Sequence, residues 1–255
     1  MATTRLIVFL LVCFSGFGCA SSNRAETEHI HLFTTGPVLL HVDAYAGDVI
    51  LHEVEGHVGT SVEIRCTVTT PMHLTPASSP IQCLAHIERH TYGEEVVVEL
   101  VDTEQLYREK HAQITVTTSG FTGVQIKTTK GNIDIACEAI PLSIQTNDGD
   151  VYIAISKPMT ENIAVTNKRG DIYLNILPES NGVIDATAIR GESVLDARAG
   201  NSTLLKGTTK EHLLATFNKG ENTISLNTVD GDVFMKITDN PEYGWSWSLD
   251  DWLPF

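Results

Sequence analysis

One short pattern recurs from Val124 to Ile237 and decides what this chain can become. Take each Gly as the zero mark. Around Gly131, apolar residues stand seven and five places before it (Val124, Ile126) and two and four places after it (Ile133, Ile135). Gly149 repeats this with Leu142, Ile144, Val151 and Ile153, and Gly170 with Ile163, Val165, Ile172 and Leu174. Gly231 does the same with Ile224, Leu226, Val233 and Met235. Weaker copies surround Gly191 (Ile184, Ala186, Ser193, Leu195) and Gly220 (Leu213, Ala215, Asn222, Ile224). Gly47 carries an early copy in Leu40, Val42, Val49 and Leu51, so the stack begins before a long excursion and resumes after it.

Residues two apart point to one face of a strand, so each unit reads as two half-buried strands around a tight turn. Gly followed by Asp or Asn (Gly131-Asn132, Gly149-Asp150, Gly170-Asp171, Gly231-Asp232) suits that turn. Gly supplies backbone freedom, and the acid or amide hydrogen-bonds nearby main chain. The marks at 131, 149, 170 and 191 are 18, 21 and 21 residues apart. A period of ~20 residues belongs to repeats that bury their apolar edges by stacking on neighbours. A chain of antiparallel hairpins uses similar turns but imposes no fixed period. The expectation is an all-β, single-domain β-solenoid, parallel β-helix-like, with an N-terminal β-hairpin excursion and an aromatic C-terminal tail. Spacing breaks between Gly191 and Gly231, which leaves the rung count there open.

The divisions follow: residues 1–18 a lipoprotein-type signal, 19–28 a tether, 29–123 an N-terminal β region with the first unit, 124–238 the repeats, and 239–255 an aromatic cap or tail. The signal has one positive charge, Arg5, then the apolar run Leu6–Phe14 and the small residues Ser15, Gly16 and Gly18. It is too short for a lasting membrane span. Gly18-Cys19 resembles a bacterial lipobox, in which the Cys becomes the lipidated first residue. It departs from that pattern in carrying Gly16 and Phe17 where such boxes have Leu and a small residue. Ordinary cleavage after Ala20 is the alternative. Lipidation of Cys19 implies an exported protein anchored to the envelope membrane, at the outer membrane or cell surface.

Export also sets the redox context. Cys66 and Cys83 lie in two strand-like runs, Ser61–Val68 and Ile81–His90, joined by a Pro-containing loop. A cross-strand disulfide is one reading and two unrelated buried thiols the other. Cys137 stands six places after Gly131, where other units carry Ile155, Ile176 and Ile237, and reads as core.

Charge excludes one class of partner. A net charge of −15 argues against nucleic acid, whose phosphates demand Lys and Arg. Nine of ten histidines precede residue 112, but no HExxH or paired CxxC spacing accompanies them. They read as surface or cross-strand histidines, with no metal or cofactor assigned. Stacked turns would bring Asp150 and Asp171 to ~4.8 Å, one strand spacing. That separation invites comparison with a retaining glycosidase pair or a Ca²⁺ column. The same position is Asn132, Glu192 and Asn201 elsewhere, which favours turn chemistry, and no catalytic residue is assigned. The three tryptophans, Trp245, Trp247 and Trp252, fall in the tail. They read either as a cap on the last rung or as a partner-binding peptide for an envelope protein or polysaccharide.

The run Ile144-Gln-Thr-Asn-Asp-Gly-Asp-Val-Tyr-Ile153 is an example of Ile/Val-x-Thr-x-x-Gly-Asp-Ile/Val-x-Ile. Through it, the stretch from Leu39 to Ile237 resembles the putative-adhesin family of exported bacterial proteins. That resemblance implies a β-helical fold at the cell envelope and supplies no site residues. The expected function is a non-catalytic envelope lipoprotein acting as an adhesin-like binding or structural scaffold. A carbohydrate-active β-helix enzyme of the polysaccharide-lyase or glycosidase type is the alternative, and an envelope sensor binding another protein is a third.

Overall fold

The structure, a computed structural model, describes residues 23–54, 61–71, 81–102, 111–197 and 200–241. Cys19 and the tail tryptophans Trp245, Trp247 and Trp252 lie outside the described residues. Among the described residues every regular element is a strand. The first seven are β1 (Asn23–Phe33), β2 (Val38–Ala46), β3 (Asp48–Glu53), β4 (Ser61–Pro71), β5 (Ile81–His90), β6 (Gly93–Asp102) and β7 (His111–Thr118). Three pairs follow: β8 (Phe121–Lys130) with β9 (Ile133–Cys137), β10 (Leu142–Gln145) with β11 (Val151–Ile155), and β12 (Ile163–Arg169) with β13 (Ile172–Ile176). The chain then runs through β14 (Gly182–Ala188), β15 (Ser193–Ala197), β16 (Ser202–Leu204), β17 (His212–Phe217), β18 (Thr223–Asp230) and β19 (Val233–Ile237).

These strands form two sheets. Sheet A has the order β1-β4-β7-β3-β9-β11-β13-β19-β15, and sheet B the order β16-β17-β14-β18-β12-β10-β8-β2-β6-β5. Each Gly-marked unit other than that of Gly220 gives one strand to each sheet, with the Gly turn between them. Successive units pair in parallel and in register, as Leu142 does with Val124 on one side and Ile163 on the other. The fold is a β-solenoid and not a string of hairpins. The four apolar marks become four core columns. Leu40, Val124, Leu142, Ile163, Ile224 and Ile184 form one, all buried and each paired with the next. Val49, Ile133, Val151, Ile172 and Val233 form another, on the facing sheet. Cys137 is buried opposite Ile155, as a core residue should be.

The zero mark has a steric cause. A Cβ on Gly149 would stand 2.1 Å from the carbonyl oxygen of Gly131, and its φ of +135° is itself hostile to L side chains. From Gly47 through Gly131, Gly149, Gly170 and Gly231 to Gly191 the glycines stack directly, and a Cβ on any of the last five would collide with the glycine of the neighbouring rung.

Three expectations change. The run 23–28, expected as tether, belongs to β1, whose residues Asn23–Glu28 pair antiparallel with Pro71–Cys66 of β4. The exposed side chains of residues 25–28 suit an edge strand, which needs only its backbone paired. The excursion after the Gly47 unit supplies a further rung: β6 and β7 lie parallel to β2 and β3, and β5, β4 and β1 then add antiparallel. Finally, the Gly220 copy is not a rung. It is the turn between β17, which runs antiparallel to β14, and β18. An antiparallel strand keeps the same two-residue alternation, so hydropathy alone cannot report its direction. The broken spacing follows from the path: the Gly231 unit is inserted between the Gly170 and Gly191 units, with β18 pairing both β12 and β14.

Candidate functional site

The turn acids form a hydrogen-bonded ladder along one edge of the solenoid. Asn132 N–H donates to Asp48 Oδ1 at 2.8 Å, Asp150 N–H to Asn132 Oδ1 at 2.9 Å, and Asp171 N–H to Asp150 Oδ1 at 2.8 Å. Asp232 N–H continues to Asp171 Oδ1 and Glu192 N–H to Asp232 Oδ1, both at 2.7 Å. Each side chain thus satisfies the main chain of the next rung. The second oxygens are engaged as well: Tyr152 Oη–H donates to Asp150 Oδ2 at 3.2 Å and Tyr173 Oη–H to Asp171 Oδ2 at 3.0 Å. Asp150 and Asp171 do approach within one rung. What their oxygens do there is hold turns and orient phenols.

Those phenols belong to a feature the apolar marks overlook. Three places after the Gly, the side chain points outward from sheet A, and successive units carry Tyr152, Tyr173 and Phe234 there. Their rings stack, with centroids 4.8 Å and 5.1 Å apart and interplanar angles of 5° and 13°. The preceding unit places Asp134 at the same mark, opposite Tyr152. Asp134 Oδ1 is buried and accepts no hydrogen bond among the described residues. Burial pushes the Asp134 carboxyl up to about 6. Burial, then the charge of Asp150, raises the Tyr152 phenol to about 12. The same Gly ruler extended to plus three would have found this ladder. On the same face Asn175 Nδ2 donates to the carbonyl of Pro241 at 3.1 Å, so the last described residue sits against β13 on the outer face of sheet A.

Two other places gather polar or reactive groups. A shallow depression of about 410 Å³ lies at the last rung, lined by Ile189, Arg190, Glu192, Lys210, Glu211 and Asp232. Its two cations are already paired, Lys210 with Glu192 and Arg190 with Asp230. Cys66 and Cys83 are buried free thiols that hydrogen-bond one another across the core. β4 belongs to sheet A and β5 to sheet B, so a bond between them would join the sheets and not neighbouring strands. The hydrogen bond to Cys66, together with burial, pushes the Cys83 thiol upward. The Cys137 thiol is raised by burial.

Comparison with known proteins adds a family and a fold. A family model described as Toastrack DUF4097 matches residues 91–237, from the turn before β6 to the end of β19. No curated protein matches. The chain is similar in structure to a "putative cell adhesion protein" from Clostridium sporogenes, at 12% identity, a TM-score of 0.55, and coverage of 84% of this chain and 100% of that one. A "putative adhesin" from Bacteroides fragilis aligns at 11% identity over 84% and 97% of the two chains, with a TM-score of 0.29. A "putative lipid binding protein" from Parabacteroides distasonis aligns at 9% identity over 84% and 97%, with a TM-score of 0.27. At these identities the first likeness speaks to the fold alone.

Proposed function

We infer a function from the premise that this chain belongs to the Toastrack DUF4097 family: it is a non-catalytic binding scaffold, exported to the cell envelope and tethered there through lipid on Cys19. The outer face of sheet A is its binding surface. The observation that carries this reading is the ladder of Tyr152, Tyr173 and Phe234 beside Asp134, a flat aromatic and polar strip. Aromatic edges with phenol and carboxylate groups suit an extended polar ligand such as an envelope polysaccharide or a peptide strand. The turn acids, committed to main chain and phenols, support a scaffold over a hydrolase. Pro241, the last described residue, lies on this same face, and the tail residues Trp245, Trp247 and Trp252 contribute to partner binding.

The test is retention on a panel of envelope polysaccharides and on native envelope extract. Full-length protein, Tyr173→Ala and a truncation after Pro241 are compared, with circular dichroism confirming each fold. The reading expects wild-type retention that weakens in Tyr173→Ala. Release of cleaved sugar, abolished by Asp150→Asn, would instead establish the enzyme. Mass spectrometry of the N-terminus decides the anchor: an unmodified start at Ser21 removes it.

A further inference from the structure

The outer face of sheet B near its β5 edge gathers imidazoles and carboxylates from three strands. Alternation along β5 sends His86, Glu88 and His90 to one face. β6 places Glu95 directly opposite Glu88, and β2 brings His41 alongside. The side chains form a chain of contacts. His41 Nδ1 lies 3.5 Å from Glu95 Oε1, and Glu95 Oε2 lies 3.0 Å from His90 Nε2. His90 Nε2 is 3.6 Å from Glu88 Oε2, whose other oxygen is 3.3 Å from His86 Nε2.

We propose that Glu88, His90 and Glu95 form a surface site for a divalent transition-metal ion of the Zn²⁺ class, with water completing the coordination. Geometry is the first support. One donor atom from each residue lies within 4.8 Å of the other two. Four ligands at the Zn–N and Zn–O distances of ~2.0–2.2 Å stand ~3.4 Å apart on a tetrahedron. The 3.0 and 3.6 Å separations about His90 bracket that value, so the ligands need little movement to close on an ion.

Charge is the second support. Like charges directly opposite on adjacent strands destabilise a sheet, and Glu88 and Glu95 are so placed. A dication held between them offsets that repulsion. Preorganisation is the third. His90 stacks on Tyr92 with centroids 4.8 Å apart and planes 4° from parallel, which fixes its ring. His86 and His41 engage the far oxygens of the two carboxylates, the arrangement that orients metal-binding carboxylates from behind. The donor set of one imidazole and two carboxylates suits Zn²⁺, Ni²⁺ or Cu²⁺ and lacks the thiolate that softer ions select. Linear spacing hides the set because its ligands come from two strands. Two other His–acid contacts among the described residues, His29 with Glu63 and His212 with Asp185, bring one carboxylate each and serve as internal comparison.

The experiment is calorimetric titration of the full chain with ZnCl₂ at pH 7.5, against His90→Gln, His90→Gln/Glu95→Gln and the distal control His212→Gln. The changes lie on outward-facing positions of sheet B, and circular dichroism verifies folding. The site expects one saturable ion in wild type and in His212→Gln. Affinity should fall about tenfold or more in His90→Gln, with saturable binding lost in the double variant. Absence of saturable binding in wild type, or equal affinity in the double variant, would overturn the site. A second readout uses Co²⁺. Intense visible absorption from tetrahedral coordination should appear in wild type and vanish in the double variant, and its persistence there would also reject these ligands.

Discussion

The middle rungs and the N-terminal end of this molecule are built from the same strands on opposite principles. In the rungs marked by Gly131, Gly149, Gly170 and Gly231 every strand has parallel neighbours in register, so each rung meets the environment that the last one met. The same residue type therefore recurs at the same mark, and the glycines touch. At the N-terminal end, β1, β4 and β5 pair antiparallel, and each strand has neighbours found nowhere else. There a positive-φ glycine such as Gly93 (+144°) has nothing within 4 Å of its missing Cβ. Repetition makes a scaffold whose side chains are committed to one another. The side chains with spare chemistry, Cys66, Cys83, His41, Glu88, His90 and Glu95, gather where repetition stops.

The largest expected effect tests that contrast directly. Gly149→Ala forces a methyl against the Gly131 carbonyl at 2.1 Å in a left-handed backbone and should cost about 4 kcal/mol or more. Gly93→Ala bears the backbone term alone, ~1–2 kcal/mol. Urea unfolding of both variants measures the gap. Equal losses would dissolve the distinction between stacked and isolated turns.

Next in size is the cysteine pair, which bears on whether the irregular end is covalently closed. Oxidation by a disulfide-exchange partner would remove one hydrogen from each thiol and join β4 to β5 across the core. Closing a loop of ~15 residues contributes ~3 kcal/mol. Thermal unfolding with and without dithiothreitol should differ in wild type and coincide in Cys83→Ser. Identical curves in wild type, together with two alkylatable thiols after denaturation in this pair, would leave the end held by packing alone.

The same contrast explains what the sequence reveals. Core columns, turns and the buried Cys137 were legible because a parallel in-register stack repeats its environment, and the chain must repeat its answer. Direction and order were not legible. The Gly231 rung slides between two earlier rungs, and Leu213 and Ala215 alternate inward on a strand running backwards. Period and hydropathy are blind to both. The aromatic ladder was legible at the plus-three mark, but outward positions carry no burial constraint and so attract less notice. The Glu88, His90 and Glu95 cluster was not, since its register is fixed by the hairpin β5–β6 pairing and not by any repeat.

A smaller effect separates the ladder's chemistry from its charge. Asp150→Ala leaves Asp171 N–H and the Tyr152 phenol without an acceptor and should cost ~1–2 kcal/mol. Asp150→Asn keeps a side-chain oxygen for Asp171, as Asn132 already does for Asp150, and should be nearly neutral. Thermal shifts decide this. A loss in the Asn variant as large as in the Ala variant would mean that the charge at Asp150 serves something beyond the turn.

The smallest effect has opposite signs in the two regions. Burial raises the Asp134 carboxyl to about 6, above the ~3.9 of an unfolded Asp. Between those values the native state binds more protons than the unfolded one, so stability falls as pH rises from ~4 to ~6. Above that window the full penalty is present, ~3 kcal/mol before screening and ~1 kcal/mol for a half-exposed group. Asp134→Asn should therefore raise stability at pH 7.5 by about that amount and give no advantage near pH 4. Glu94, in the N-terminal region, is shifted the other way. The Thr35 N–H at 2.5 Å, then Arg89 at 3.0 Å, hold its carboxyl below the usual range. Its contribution is present above the unfolded value of ~4.3 and is lost as pH falls through the lowered one. Glu94→Gln should thus destabilise at pH 7.5 and converge with wild type in acid. Parallel pH profiles for the two variants would show that burial on the aromatic face does not govern Asp134, and would remove the strained carboxylate from the proposed binding strip.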